Sequence, residues 1–324
     1  MKKITLLFLV TACSFSCNKP TNTPGNNNTG TPCTSPVAPA ALNNIQVFPK
    51  DYPLNADISS MSVDPSSNNV IAAIGNSPLH PDFGSSSSIG IPFTLVCGSQ
   101  TKVPIIYRAN NNGGNYGDQS DSGPFPIPDN AAIEGNGAGD SHVLVCDIEN
   151  KLLYELYNAT KNIGTGWSAS SGAIFDLKTD YYRTDGWTSA DAAGLPMLPC
   201  LTRYDEMASG KITHALRFTL DNAHVYNGYV NPARHKVSGG GALGNSLPMG
   251  ARIRLKASFD ISGYSKNMQV ILTAMKTYGL ILADIGSNMF FSGASDARWD
   301  DNDLNTLKNV KATDFELVTL GTIK

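Results

Sequence analysis

Short apolar runs, broken every few residues by Gly, Pro, Asn or Asp, set the rhythm of this chain and predict strands. The runs are residues 90–97 (GIPFTLVC), 103–107 (VPIIY), 141–147 (SHVLVCD), 151–157 (KLLYELY), 172–177 (GAIFDL), 212–220 (ITHALRFTL), 252–259 (RIRLKASF) and 288–292 (NMFFS). Each is rich in β-branched or aromatic residues, which fit a pleated, half-buried surface. Asp147-Ile148-Glu149-Asn150-Lys151 separates two of them and reads as a hairpin loop. Helical spacing is rare. Met268, Ile271, Leu272 and Met275 share one face of residues 265–278, with Ser265 placed as an N-cap and Gly279 just past the end. Residues 69–74 and 303–310 read as short helices at the rim. The expected fold is mostly β: an antiparallel β-sandwich or jelly-roll-like single domain with a few short helices.

The start of the chain follows a different logic. Lys2 and Lys3 precede an apolar run at residues 4–10, and small residues lead into Cys13 and Cys17. This is the layout of a secretory signal with a cysteine at the cleavage point, as in a lipoprotein. Residues 10–13 (VTAC) fit the usual lipobox better than residues 14–17 (SFSC). Cleavage before Cys13, however, leaves a signal shorter than the usual ~15–30 residues. Cys17 is therefore the expected lipidation site, with Cys13 as the alternative. The apolar run falls short of the roughly 20 residues of a spanning helix. Asn, Thr, Pro and Gly dominate residues 18–43, which cannot bury enough surface to offset their ordering entropy. The expected organisation is a signal peptide at 1–16, a flexible tether at 17–43 and one β-rich domain at 44–324, with a two-lobed domain as the alternative. Such a protein belongs to the cell envelope, held by its lipid on the outer membrane, on the periplasmic side or at the surface.

Charged residues make up only 16% of the chain and the net charge is −3. No basic excess marks a nucleic-acid binder. Beyond Cys17 the cysteines are Cys33, Cys97, Cys146 and Cys200. Export permits disulfides, and four cysteines allow three pairings that spacing does not resolve; buried free thiols remain equally open. No CxxC or Cys/His pair has ligand spacing, so neither a metal nor a cofactor is expected.

Polar chemistry concentrates in residues 124–235. Cleavage of a glycosidic bond needs two carboxylates across a groove, about 5–5.5 Å apart for retention and about 6.5–9.5 Å for inversion. Glu134, Asp140, Asp176, Asp191, Asp205 and Glu206 supply candidates. Taken singly, each has a structural explanation: Asp176 caps a turn, Asp191 starts a helix, and Asp205-Glu206 occupy a first helical turn, where negative charge is favoured. Taken together, beside Trp167, Trp187, Tyr204 and Tyr229, they point to a groove with aromatic platforms for sugar rings. The expected acid/base residues are Glu134, Asp140, Asp191 and Asp205, with His214 as the alternative base; Trp187, Arg203 and Arg234 are expected to hold substrate. His80, His142 and His235 also sit in motif-like positions, but parity puts His214 on the face of Ile212 and Leu216, where a buried imidazole requires a partner. No Gly-x-Ser-x-Gly occurs, and the glycines after Ser238 lack the P-loop lysine. Arg252, Arg254 and Lys256 alternate with Ile253 and Leu255, giving a basic stripe that either guards a solvated edge or faces an anionic polymer. The expected activity is glycoside hydrolysis of a polysaccharide. The alternative is a non-catalytic glycan-binding or envelope-structural module. A lyase, with His214 or a Tyr as base and an Arg against a uronate, comes third.

The segments LHPDFG, PIPDNAAIEG, DSHVLV, SGAIFDL, GWTSADAAGLP, RYDE, HALRF, PARH, MGARIRLKASFDISGY, YGLILADIGS and SGASDARWDDNDL span nearly all of residues 45–318. On these motifs the chain resembles a family of secreted bacterial proteins of uncharacterised activity. The resemblance implies one exported domain and carries no reaction or site residue. Cys97, Cys146 and Cys200 depart from its pattern, which argues against an essential role for them.

Overall fold

The computed structural model describes residues 33–110 and 114–324. The expected signal peptide, Cys13, Cys17 and the tether as far as residue 32 lie outside the described residues. In chain order the strands are β1 (His80–Asp82), β2 (Phe93–Val96), β3 (Ile105–Tyr107), β4 (Val143–Asp147), β5 (Leu152–Tyr157), β6 (Thr160–Asn162), β7 (Gly166–Ala169) and β8 (Ser171–Asp176). They continue with β9 (Leu216–Leu220), β10 (Val225–Tyr229), β11 (Leu247–Met249), β12 (Arg252–Leu255), β13 (Leu280–Ile285), β14 (Phe290–Ser292) and β15 (Phe315–Leu317). The helices are α1 (Ser67–Ile74), α2 (Tyr204–Ala208), α3 (Lys266–Thr277) and α4 (Asp301–Asn305). Strand outweighs helix, 26% to 19%, so the protein is mostly β. Every run read as a strand overlaps one.

The largest sheet has six strands in the order β1-β14-β9-β13-β12-β15, and a four-stranded sheet runs β2-β4-β5-β8. A smaller sheet runs β3-β7-β6, and β10 pairs with β11. The pairing is mixed, which corrects the antiparallel expectation. β9 with β13, β1 with β14 and β2 with β4 are parallel, whereas β12 lies antiparallel to β13 and β15, and β5 to β4 and β8. A parallel strand covered on both faces reads as an unbroken apolar run, as LILA does at the start of β13, and its pairing direction leaves no mark in the alternation.

The four-stranded sheet is buried on both faces. Leu144 and Cys146 of β4 enter a core shared with Leu216 and Phe218 of β9 and Leu282 of β13. Val143 and Val145 point the other way, into a second core with Trp167 and Ala169 of β7. Period-two alternation in one strand thus serves two apolar layers. The hairpin between β4 and β5 closes as expected: Asp147 accepts bonds from the backbone N–H of Glu149 and Asn150.

Residues 33–43, expected in the tether, belong instead to the compact unit, which begins at Cys33. Cys33 is disulfide-bonded to Cys97, Val37 bridges Leu95, and Leu42 is buried in the main core. Cys146 and Cys200 are buried free thiols. The two arginines of the basic stripe do not form a solvated edge, although Arg252 borders a hollow of about 280 Å³. Arg252 donates to the carbonyls of Pro53, Ala56 and Tyr278, and Arg254 donates to those of Ile58, Ser59 and Met61 and to Glu316. Both arginines are buried, and they fasten residues 53–61 onto the sheet.

Helix α3 forms where its periodicity places it. Ser265 accepts from the N–H of Met268, and Met268, Ile271, Leu272 and Met275 are buried. Each such side chain contributes about 1.5–3 kcal/mol relative to exposure. Gly279 follows at φ 72, and a Cβ there would stand 2.5 Å from the Ile253 carbonyl oxygen. No helix among the described residues is long and apolar enough to cross a membrane.

Candidate functional site

A polar cavity of about 300 Å³ opens where the strand ends of the four-stranded sheet meet the end of β13. Asp140 leads into β4, Tyr157 ends β5, Ser171 starts β8 and Asp284 lies near the end of β13. Tyr116, Thr188, Ser189, Ala190, Ala192, His235, Val237 and Ile285 complete the wall.

Backbone irregularities aim these side chains. The pairing of β13 with β9 slips at Ala283: Leu282 faces Phe218, but Asp284 faces Thr219. Such a bulge adds one unpaired residue and turns the next side chain. The carbonyl of Ala283 accepts from the N–H of Ala193, whose own carbonyl accepts from the N–H groups of Arg234 and His235. The Asp284 strand, the 188–194 loop and the His235 loop are therefore stitched together at Ala193. On the opposite wall, Ser141 and Asn158 adopt left-handed backbone, at φ 51 and 52. The Asn158 N–H donates to the Asp140 carbonyl and the Ala159 N–H to that of Ser141, so the strand ends carrying Asp140 and Tyr157 are tied together. Left-handed backbone in such residues costs about 1–2 kcal/mol each and persists only where the surroundings impose it.

Beneath the cavity lies a layer of buried charge. Arg217 of β9 donates from Nε to Oδ2 of Asp191 at 3.2 Å and from Nη1 to Ser292 Oγ at 2.6 Å. Its Nη2 lies 4.0 Å from Oδ2 of Asp284. His142 is bonded through Nδ1 to Glu134 Oε2 at 2.5 Å and through Nε2 to the Ala190 carbonyl at 3.0 Å. Neither a carbonyl nor a carboxylate oxygen donates, so both ring nitrogens carry protons and His142 is an imidazolium. Burial alone would lower its pKa, but the bond and charge of Glu134, with the charge of Asp140, raise it. In the same way Glu134 falls below the usual carboxylate range despite its own burial. Two cations, Arg217 and His142, thus face Glu134, Asp140, Asp191 and Asp284.

That imbalance shows in the acids. Burial, with the Asp191 charge, pushes Asp284 up to about 7. Burial also raises Asp191, with Arg217 opposing. Below both sits Glu155 of β5, fully buried and raised to about 7 by burial although it accepts from the N–H groups of Met197 and Leu198. His235 moves the other way: burial lowers its pKa. Its Nδ1 bonds the Ala192 carbonyl at 2.8 Å, so Nδ1 holds the proton and Nε2 keeps a lone pair. The cavity therefore brings together a proton-holding carboxyl, Asp284, a second carboxyl, Asp140, and a neutral imidazole. Burial and the Asp140 charge hold the Tyr157 phenol protonated.

The expected residues sort into three groups. Asp140 lines the cavity, and Glu134 and Asp191 lie in the charged layer behind it, paired to His142 and Arg217. Trp187 and Arg234 stand on the neighbouring loops: Arg183 lies over the Trp187 ring, and Arg234 pairs with Asp185 and stacks on Tyr182. Asp205, His214 and Arg203 do not join them. Asp205, in the first turn of α2, pairs with Arg298. His214 and Arg203 hold Glu206 from two sides, beside a separate hollow of about 240 Å³. His214 thus has the partner a buried imidazole requires, but not a place at the cavity. Asp284, His142, Arg217 and Tyr157 were not chosen from sequence. A usable signal existed: Asp284 in LILADI, Arg217 in LRF and Glu155 in LLYELY are lone charges in apolar strands, and charge is buried only where it is paired or used.

No known protein family matches this chain, and no curated protein or solved structure is detectably similar to it.

Proposed function

We propose that this chain is an exported, lipid-anchored hydrolase that cleaves a glycosidic bond between Asp140 and Asp284. The observation that supports it is the convergence of these two carboxyl groups, in unlike environments, on one polar cavity. Environments that drive titrations apart assign acid and base roles. Asp284 holds its proton near neutrality and donates it to the glycosidic oxygen as the bond breaks. Asp140, exposed at the lip, acts as nucleophile or as base toward water, and His235 Nε2 is a second proton acceptor. Tyr116 and Tyr157 line the same cavity and supply its aromatic surface. At about 300 Å³ the cavity is at the small end of ligand sites and suits a short stretch of glycan. The frame is read as a distorted sandwich, with the six- and four-stranded sheets as its layers. Lipidation at Cys17, with Cys13 as alternative, would hold the domain at the outer membrane.

The test is turnover. Full-length protein incubated with neutral oligosaccharides is expected to produce new reducing ends. Asp284→Asn and Asp140→Asn should each slow this at least about 100-fold, the low end for a positioned acid or base. Binding of the same sugars without new ends would reject hydrolysis and identify a non-catalytic glycan-binding module.

A further inference from the structure

We infer that the cavity accepts uncharged or amino-bearing sugars and rejects glycans carrying carboxylate or sulfate groups. The inference deepens the glycan reading of the same cavity but does not depend on turnover. Among the described residues no Lys or Arg lines the wall; its carboxyl groups are Asp140 and Asp284, the second of which holds its proton near neutrality.

The nearby cations are committed elsewhere. Arg217 lies behind the wall, bonded to Asp191 and Ser292 and 4.0 Å from Asp284, and His142 is held by Glu134 and the Ala190 carbonyl. Arg234 pairs with Asp185 and stacks on Tyr182. Arg183 is buried against Asp121 and the carbonyls of Thr188 and Gln119. Lys236 lies between two lining residues, His235 and Val237, but is itself exposed and outside the wall. His235 brings no charge, because its Nδ1 proton is held by Ala192 and burial disfavours a second one.

An anionic sugar in this space would lose hydration, find no cation in the wall free to pair with it and face the Asp140 carboxylate. Like charges brought together in a partly desolvated site are strongly unfavourable. An ammonium-bearing sugar would meet Asp140 in a wall that also holds Tyr116 and Tyr157, a setting that favours cations. The stripe of Arg252 and Arg254, which seemed able to face an anionic polymer, is consumed by the carbonyls of residues 53–61. The same reasoning counts against a lyase at this cavity, whose described wall carries no arginine.

Calorimetric titration of the full-length protein tests this directly. The probes are gluco-, galacto- and manno-configured disaccharides, each as the neutral sugar and as its C6-carboxylate. For the configuration that binds, the carboxylate form is expected to bind at least about 30-fold more weakly. Ile285→Arg places a cation at the mouth on an already exposed residue. It should narrow that gap at low salt, and high salt should restore it. Equal or tighter binding of the carboxylate form to the wild type overturns the inference, even if hydrolysis is observed. Neutral binding without turnover leaves the inference standing and rejects only the hydrolase. Failure of every neutral sugar to bind overturns both.

Discussion

Arg217 and Asp191 form a buried ion pair, Nε to Oδ2 at 3.2 Å, that joins the middle of the six-stranded sheet to the loop walling the cavity. The guanidinium also holds Ser292 and faces Asp284. Removing one member of a buried pair leaves its partner charged and desolvated, at a cost of about 3–5 kcal/mol. Arg217→Ala should therefore lower the urea-unfolding free energy by that amount. A loss below about 1 kcal/mol would mean that solvent already reaches Asp191.

Stability should peak at mildly acidic pH. His142, raised in the folded state, adds stability that is fully present below its unfolded value of 6.5 and is lost as pH rises through the folded value. Asp284 and Glu155, raised from 3.8 and 4.5 to about 7, retain protons that the unfolded chain has released. Their contribution also declines from the unfolded values up to about 7. Glu134 and His235 work from the other side: Glu134, lowered on folding, stabilises above 4.5, and His235, also lowered, regains stability as pH rises to 6.5, an opposing contribution outweighed by the three raised groups. Thermal melts should give the highest Tm near pH 5 and a decline to pH 8. A Tm that climbs across that range contradicts the protonation states assigned to the charged layer.

Gly194 should not tolerate a side chain. It sits at φ 69, and a Cβ there would lie 2.5 Å from the Trp187 carbonyl oxygen. Gly194→Ala must shift the loop that carries Asp191 and the cavity wall. The expected result is a loss of at least about 1 kcal/mol in stability together with weaker sugar binding, read by chemical denaturation and titration. A variant normal in both would show that the loop is not held as described.

The Cys33–Cys97 disulfide closes a loop with a sequence separation of 64 and staples the start of the compact unit to the end of β2. Cross-links of this kind contribute about 2–4 kcal/mol. Cys33→Ser should lower stability by that amount while sparing the cavity, which lies at the far ends of other strands. Unchanged stability would contradict the docking of residues 33–43.

Enrichment in bulky residues between clear turn signals exposed β4, β5 and β8 to a reading of the sequence. The run LILADI of β13 was not read as a strand, so Asp284 was missed with it. The bulge at Ala283 has no local sequence mark at all. Asp140 was legible as an acid among loop residues. His214 was legible as a buried imidazole in need of a partner, but Glu206 meets that need away from the cavity. Acid-rich stretches such as RYDE identify polar positions, while only tertiary pairing decides which of them face a shared hollow. Arg252 and Arg254 make the same point: their parity was right, and the segment that covers them comes from nearly 200 residues away.

The most direct measurement is the pH dependence of kcat/KM on a neutral oligosaccharide, for wild type and Asp284→Asn. The wild-type rate is predicted to fall above about 7, as Asp284 surrenders its proton. In the variant that alkaline limb should vanish along with most of the activity. A wild-type rate that holds or rises from pH 7 to 9, or a variant that keeps full activity, would contradict the assignment of Asp284 as the acid.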